Sequence, residues 1–443
     1  VRPEDELLEA LLTGPWNEHT MVLRLSRLRN RITAEAWMLT LAKHLLARWP
    51  SRPSVAALMQ TLSLYPDPAD GEPATTELAP KPKGGSAKAP KVRPQLPMSQ
   101  ILRPADLFRV LDVTESELAW FADVQDRLPR ERKSALVHYR YRVIDGGHKS
   151  RLLEIPKPRL KEIQRRLARH CVARLALHPA AHGSVVGRSV RSCVAVHAGS
   201  AVLVRCDLES FFATVTAERV RGLISQTGAD DDTARLVSGL CTSSVPAAVR
   251  SGLPKPAAQS DGPFFDPVAA HWRRTRRLAV PHLPQGAPTS PGLANAVTFS
   301  LDHRLTGLAA SLGARYTRYV DDLIFSGPTE MPVGALLAGI RTIVADEGFR
   351  MAERKTAVLR SSRRQRVLGT VINQTPTIAR VEIDRLRAIL HNCVTLGVAS
   401  QARDRSAAEL RDQLQGTIAW IASIDAGRGQ HLAEKFAAID WSS

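Results

Sequence analysis

Arg315-Tyr316-Thr317-Arg318-Tyr319-Val320-Asp321-Asp322-Leu323-Ile324-Phe325 sets two adjacent carboxylates between two short, β-prone runs. The pattern reads as strand, tight turn, strand, with both acids at the turn. Neighbouring side chains of a regular strand point to opposite faces, so a turn is what brings both acids towards one site. Two carboxylates side by side repel and raise each other's pKa unless a cation sits between them. Mg²⁺ is the simplest such cation, because it takes one or two carboxylates and leaves room for substrate phosphates. Taken alone, the tetrapeptide fits a solvated hairpin tip better. Two further segments change that.

Upstream, Ala201-Val202-Leu203-Val204-Arg205-Cys206-Asp207 reads as a buried strand that delivers Asp207 at its end. Phe211 and Phe212 follow. Both fit a core; one of them, Phe212, also fits a wall against a sugar, where its bulk would exclude a 2′-hydroxyl. The third segment is Leu283-Pro284-Gln285-Gly286-Ala287-Pro288-Thr289-Ser290-Pro291. It reads as a loop opening a helix, with Thr289 and Ser290 as caps and Pro291 in the first turn. Gly286 lets the backbone come close to a ligand.

In this order the three segments resemble the palm of a bacterial reverse transcriptase. Arg151 to Arg165, Ala181-His182-Gly183 to Val190, Gly348-Phe349 to Lys355-Thr356, and Val367 to Asn373 resemble further motifs of retron and group II-type enzymes. The resemblance spans roughly 135–375 and is strongest to retron enzymes. Cys193-Val194-Ala195-Val196-His197 keeps only the histidine of one retron signature, and Leu368 and Val320 also depart from the pattern.

The resemblance implies an α/β (α+β) right-hand polymerase fold of fingers, palm and helical thumb. The expected order is a helical extension over 1–65, a Pro/Lys-rich linker over 66–98, and fingers with preceding helices over 99–200. A palm over 201–378, with a 243–282 insertion, and a helical thumb over 379–443 complete it. Helical spacing in the sequence agrees for 104–135, with Trp120 and Phe121 as core, for 159–177, and for three thumb helices at 381–396, 407–424 and 429–438. Asp145-Gly146-Gly147 between two β-prone runs reads as a hairpin.

The chain has 443 residues, 61 Lys and Arg against 43 Asp and Glu, and a net charge of +18. That excess, rich in arginine, points to a polyanionic partner. No long apolar run suggests a membrane. Five cysteines without a C-x-x-C pair suit a reducing cytoplasm and indicate neither zinc nor a disulfide framework.

The resemblance implies two Mg²⁺ ions, with Mn²⁺ as a substitute, held by Asp207 and Asp321, with Asp322 and the Leu208 carbonyl completing the site. Lys355 would protonate pyrophosphate, although an exposed lysine explains it too. Lys149 and Arg151 would neutralise a deoxynucleoside triphosphate, Gln285 would touch nucleotide or template, and Phe212 would reject ribonucleotides. Lys161, Arg165, Arg166 and Arg169 on one helix, with Arg273, Arg274 and Arg385, could bind nucleic acid. His197 fits an RNA contact and a satisfied core histidine equally. Trp272 among basic residues could stack on a base.

Retron resemblance further implies a structured non-coding RNA as template and primer and a branched RNA–DNA product (msDNA). It also implies help from host RNase H, and an effector or toxin partner in anti-phage defence. Two other readings stand beside it. One is a group II-like or other non-retron defence reverse transcriptase. The other is an RNA-binding scaffold for a toxin.

Overall fold

The computed structural model describes residues 103–123, 136–145, 150–254 and 267–441, with a few helical positions before residue 47. It divides into two units, Val1–Lys91 and Val92–Ser443. The expectations for 1–98, for 124–135 and for Lys149 fall outside the described residues, isolated positions apart.

The second unit begins with α1 (Pro104–Leu111) and α2 (Glu115–Ala122). Thr114 and Glu117 form a capping box that starts α2, and Asp112 in left-handed conformation ends α1. The expected helix is therefore broken in two. Trp120 is 47% exposed, a correction to its placement in the core. The buried stripe of α2 is Leu118 and Ala122, four residues apart, and Trp120 lies between them off that face. Phe121 packs partly against the core.

Strands β1 (Tyr139–Asp145) and β2 (Ser150–Pro156) form an antiparallel hairpin. Pro158 then opens α3 (Pro158–His170), which buries Leu160, Ile163, Gln164 and Leu167 along one stripe. The expected helix to 177 stops at Cys171, and a 3₁₀ turn, Val172–Arg174, follows. Val172 and Leu175 are still buried, as their spacing suggested.

The chain continues through α4 (Val190–Ala195), β3 (Val202–Asp207), α5 (Phe211–Thr214), α6 (Ala217–Ser225), α7 (Asp231–Cys241), α8 (Ala247–Ser251) and α9 (Pro267–Arg277). Next come α10 (Ser290–Val297), α11 (Phe299–Ser311), β4 (Arg315–Tyr319), β5 (Asp322–Gly327), α12 (Val333–Asp346) and β6 (Ala357–Arg360). The sheet order is β4-β5-β3-β6, all antiparallel. Val202, Val204 and Cys206 of β3 join the main core, while Leu203 joins Ile324, Cys193 and Val194 in a smaller cluster. The period-2 alternation thus buries both faces of the sheet.

A short ladder, β7 (Arg366–Val367) with β8 (Thr370–Val371), leads to the C-terminal helices. These are α13 (Arg380–Leu396), α14 (Ala399–Ala402), α15 (Ala407–Ile424) and α16 (Ala426–Ala437). They have a core of their own, built on Leu386, Leu390, Leu414, Ile418 and Leu432. No helix among the described residues is long and apolar enough to cross a membrane.

Candidate active site

The antiparallel register sets Asp207 directly opposite Asp322, so both side chains leave the same face of the sheet. Asp321 sits in the turn between β4 and β5, and its carbonyl accepts the Leu208 N–H at 3.0 Å. Val320, the other turn residue, has φ of 58°, a left-handed conformation costly for a β-branched side chain.

A buried network holds that turn. Arg318 is fully buried and donates twice to Asp302, through Nε at 2.8 Å and Nη2 at 2.7 Å. Its Nη1 donates to Asn295 Oδ1 and to the Val320 carbonyl, each at 2.9 Å. Asn295 Nδ2 in turn donates to the Gly183 carbonyl at 2.8 Å. A Cβ on Gly183 would stand 2.7 Å from the Val320 backbone nitrogen, so only glycine fits there. Residues 181–183, Asn295 and residues 315–322 therefore meet at one turn.

Past β3, the chain runs beside residues 350–352: Glu209 N–H donates to the Arg350 carbonyl at 2.7 Å, and Ala352 N–H to the Asp207 carbonyl at 2.7 Å. That pairing delivers the Lys355 ammonium onto Asp207 Oδ2. Asp207 is buried, and Lys355 is half-buried. Burial, with the charges of Asp321 and Asp207, pushes the Asp322 carboxyl up to about 6.

Among the described residues no three His, Cys, Asp or Glu side chains converge on one point that would share an ion. The fit to a divalent cation is one of charge and donor type. Mutually repelling carboxylate oxygens beside one lysine suit a hard ion that also binds substrate phosphates. Asp207, Asp321 and Asp322 are the residues able to hold it.

Other expected residues scatter around this centre. Phe211 is buried and Phe212 half-buried, with ring centroids 5.5 Å apart. Gln285 is half-buried at the loop tip, and its carbonyl accepts the Glu154 N–H of β2 at 3.0 Å. Thr289 makes no side-chain cap on α10, and Ser290 Oγ turns back to the Pro284 carbonyl at 2.7 Å, correcting the expected caps. Arg151 is exposed on β2.

Lys161, Arg165 and Arg169 lie away from the buried stripe of α3, while Arg166 is engaged with Asp112 at 3.1 Å and Glu162 at 3.3 Å. Arg385 is exposed on α13, and Trp272 is 59% exposed on α9. Arg273 turns instead to Glu209, at 3.3 Å, where Arg277 (3.6 Å) and Arg350 (3.5 Å) join it. Arg274 is half-buried near Glu154.

His197 is a correction. It is fully buried, with Nδ1 2.8 Å from Ser326 Oγ and Nε2 2.8 Å from Thr317 Oγ1, so no RNA can reach it. Sequence reasoning also passed over Glu209, Asp302, Asn295, Glu154 and His282. Glu209, two residues past Asp207, Glu154 within the Arg151 to Arg165 segment, and His282 just before Leu283 carried a positional signal; Asp302 did not.

Comparison with known proteins shows the family of the chain. A family model described as reverse transcriptase (RNA-dependent DNA polymerase) matches residues 145–372. The retron Mx162 reverse transcriptase of Myxococcus xanthus is 36% identical over 340 residues, covering 73% of this chain and 64% of that protein. The retron Mx65 reverse transcriptase of the same organism is 37% identical over 308 residues, covering 69% and 65%. The retron Ec86 reverse transcriptase of Escherichia coli is 27% identical over 293 residues, covering 65% and 77%. This chain thus spans under two thirds of the length of both Myxococcus relatives. The matched span contains Asp207, the Leu283–Gly286 loop, the acid turn and Lys355, and by it the chain belongs to the reverse transcriptase family, as a bacterial, retron-like member.

Proposed function

We propose that the chain is an RNA-directed DNA polymerase of retron type, copying a structured non-coding RNA into DNA joined to that RNA as a branch. The observation that carries the polymerase reading is the pairing of Asp207 with Asp322 beside the strained Asp321 turn, with Lys355 on Asp207. Two Mg²⁺ ions, or Mn²⁺, held by Asp207 and Asp321 with Asp322 and the Leu208 carbonyl in support, would supply Lewis acidity to the primer hydroxyl and the phosphates.

The chain's own groups do the rest. Lys355, whose Nζ reaches Asp207 Oδ2, would give up a proton to the leaving pyrophosphate. Arg151 offsets triphosphate charge, Gln285 meets the nucleotide or template, and Phe212 bars a 2′-hydroxyl. Lys161, Arg165, Arg169 and Arg385 contact phosphates of the template or product, in keeping with the net charge of +18. The retron similarity of the relatives supports an msDNA product, RNase H trimming and a defence role with an effector protein.

Asp321→Asn and Asp207→Asn should each abolish metal-dependent deoxynucleotide incorporation on RNA while leaving the melting curve cooperative. Full activity in either variant would falsify the site. Nucleic acid from cells carrying the native locus should contain DNA linked 2′–5′ to RNA. DNA started from an ordinary 3′ end, or on protein, would remove the retron reading and keep the polymerase one.

A further inference from the structure

The fingers hairpin and the Leu283–Gly286 loop are joined by a buried pair that the polymerase reading leaves without a task. His282 Nε2 lies 3.1 Å from Glu154 Oε1, and the two side chains are 1% and 2% exposed. His282 Nδ1 lies 2.6 Å from the Val280 carbonyl oxygen. Both ring nitrogens therefore face acceptors. A neutral imidazole has one N–H to donate and one lone pair, so it satisfies only one of them. Either the ring carries two protons or Glu154 carries one.

The same glutamate grips the loop itself. Its backbone N–H donates to the Gln285 carbonyl at 3.0 Å, and the Gln285 N–H points at Oε1 from 3.5 Å. Gly286 has φ of 132°, and a Cβ there would stand 3.0 Å from the Glu154 carbonyl oxygen. Backbone approach this close fixes the depth of the loop tip against β2. His282 N–H and carbonyl pair with Ser243, which fixes the backbone that carries the buried ring.

We propose that an imidazolium of His282 paired with a carboxylate of Glu154 is the positioning device for Gln285, and that it makes deoxynucleotide binding weaken as pH rises. The proposal rests on the polymerase reading above. Burial opposes a charge on His282, while the hydrogen bond and charge of Glu154 favour it, and the balance lies above the ordinary histidine value. The other charged or titratable groups facing the pair are Arg274 from α9 and Tyr139 and Tyr141 from β1. Arg274 lies close enough to Glu154 for the carboxylate to act on its charge, although burial sets the direction of the Arg274 shift, which is downward. Both tyrosines are held neutral by burial first and by that carboxylate second. Above the titration of His282 the ring keeps one proton, one acceptor loses its donor, and the loop loses its ionic tie to β2.

The test has two arms on the full chain. Histidine-labelled NMR, with the His282 signal assigned by its loss in His282→Gln, should show both ring nitrogens protonated at neutral pH. Glu154→Gln, which keeps shape and can still donate to Nε2, should leave that ring neutral. In nucleotide-incorporation kinetics, Glu154→Gln should raise the deoxynucleotide KM about tenfold with a smaller change in kcat, as expected when a binding contact worth about 1.4 kcal/mol is lost. The KM of the unsubstituted chain should climb as His282 titrates, and that of Glu154→Gln should not follow. A singly protonated His282 at neutral pH, or a pH-independent KM in the unsubstituted chain, overturns the proposal. Both readouts survive a Glu154→Gln chain that fails to fold. A doubly protonated His282 in a chain that incorporates nothing overturns the polymerase reading and upholds the ion pair.

Discussion

Arg318 and Asp302 form a two-pronged ion pair that solvent does not reach, with Nη2 2.7 Å from Oδ2. Tyr316 donates to the same carboxylate at 2.8 Å. Asp302→Ala would leave the Arg318 charge buried and unpaired, which costs about 3–5 kcal/mol. Urea unfolding should show that loss, and activity should fall with it because Arg318 also holds the Val320 carbonyl. A loss under about 1 kcal/mol would mean that the turn is held by other contacts.

Asp322 carries the cost of the acid cluster. Its folded-state pKa, about 6, lies above the ordinary aspartate value, so its charged form weakens the fold at high pH. That penalty is present above about pH 6 and relieved as pH falls towards about 4. Asp322→Asn should therefore melt higher than the unsubstituted chain at about pH 8 without added metal, and the gap should narrow through about pH 5 and close towards about pH 4. Added Mg²⁺ should narrow it from the other side, by stabilising the unsubstituted chain more than the variant. Identical melting curves at high pH count against the cluster.

Phe212 is half-buried beside the fully packed Phe211. Phe212→Val should raise ribonucleotide use relative to deoxynucleotide by about tenfold or more, since one pocket contact is worth roughly 10–200-fold. The ratio of kcat/KM for the two nucleotides is the measurement. An unchanged ratio assigns Phe212 to the core and puts the sugar gate elsewhere.

His197 should prove a stability residue. His197→Ala removes the ring partner of the buried Ser326 hydroxyl and leaves Thr317 Oγ1 only the weak Cys193 Sγ contact, at a cost of about 2–4 kcal/mol. Burial, then the charges of Arg315 and His182, holds its pKa down at about 3. The unfolded chain takes up that proton first, so this residue drains stability as pH falls from about 6.5. RNA affinity of the folded variant should match that of the unsubstituted chain. A selective loss of RNA binding would restore the contact that the burial argues against.

Local order decided much that the chain reveals on reading. The alternation of Ala201–Cys206, the acids at 321 and 322, Pro158 before an apolar stripe, and the Ser406–Glu409 capping box each act over a few residues. Side-chain periodicity and capping chemistry are local, so β3, the acid hairpin, α3 and the C-terminal helices were legible. The tertiary structure alone decided which charges are spent. Arg273 is drawn to Glu209, Arg166 to Asp112, His197 beneath the sheet, and Glu154 to His282 across 128 positions. A charge is free or engaged according to what the fold brings within hydrogen-bond reach, and partners so distant in the chain leave no periodic trace. The convergence of Gly183, Asn295, Asp302 and Arg318 on one turn has the same origin: buried polar groups must find partners, and only the folded chain says which.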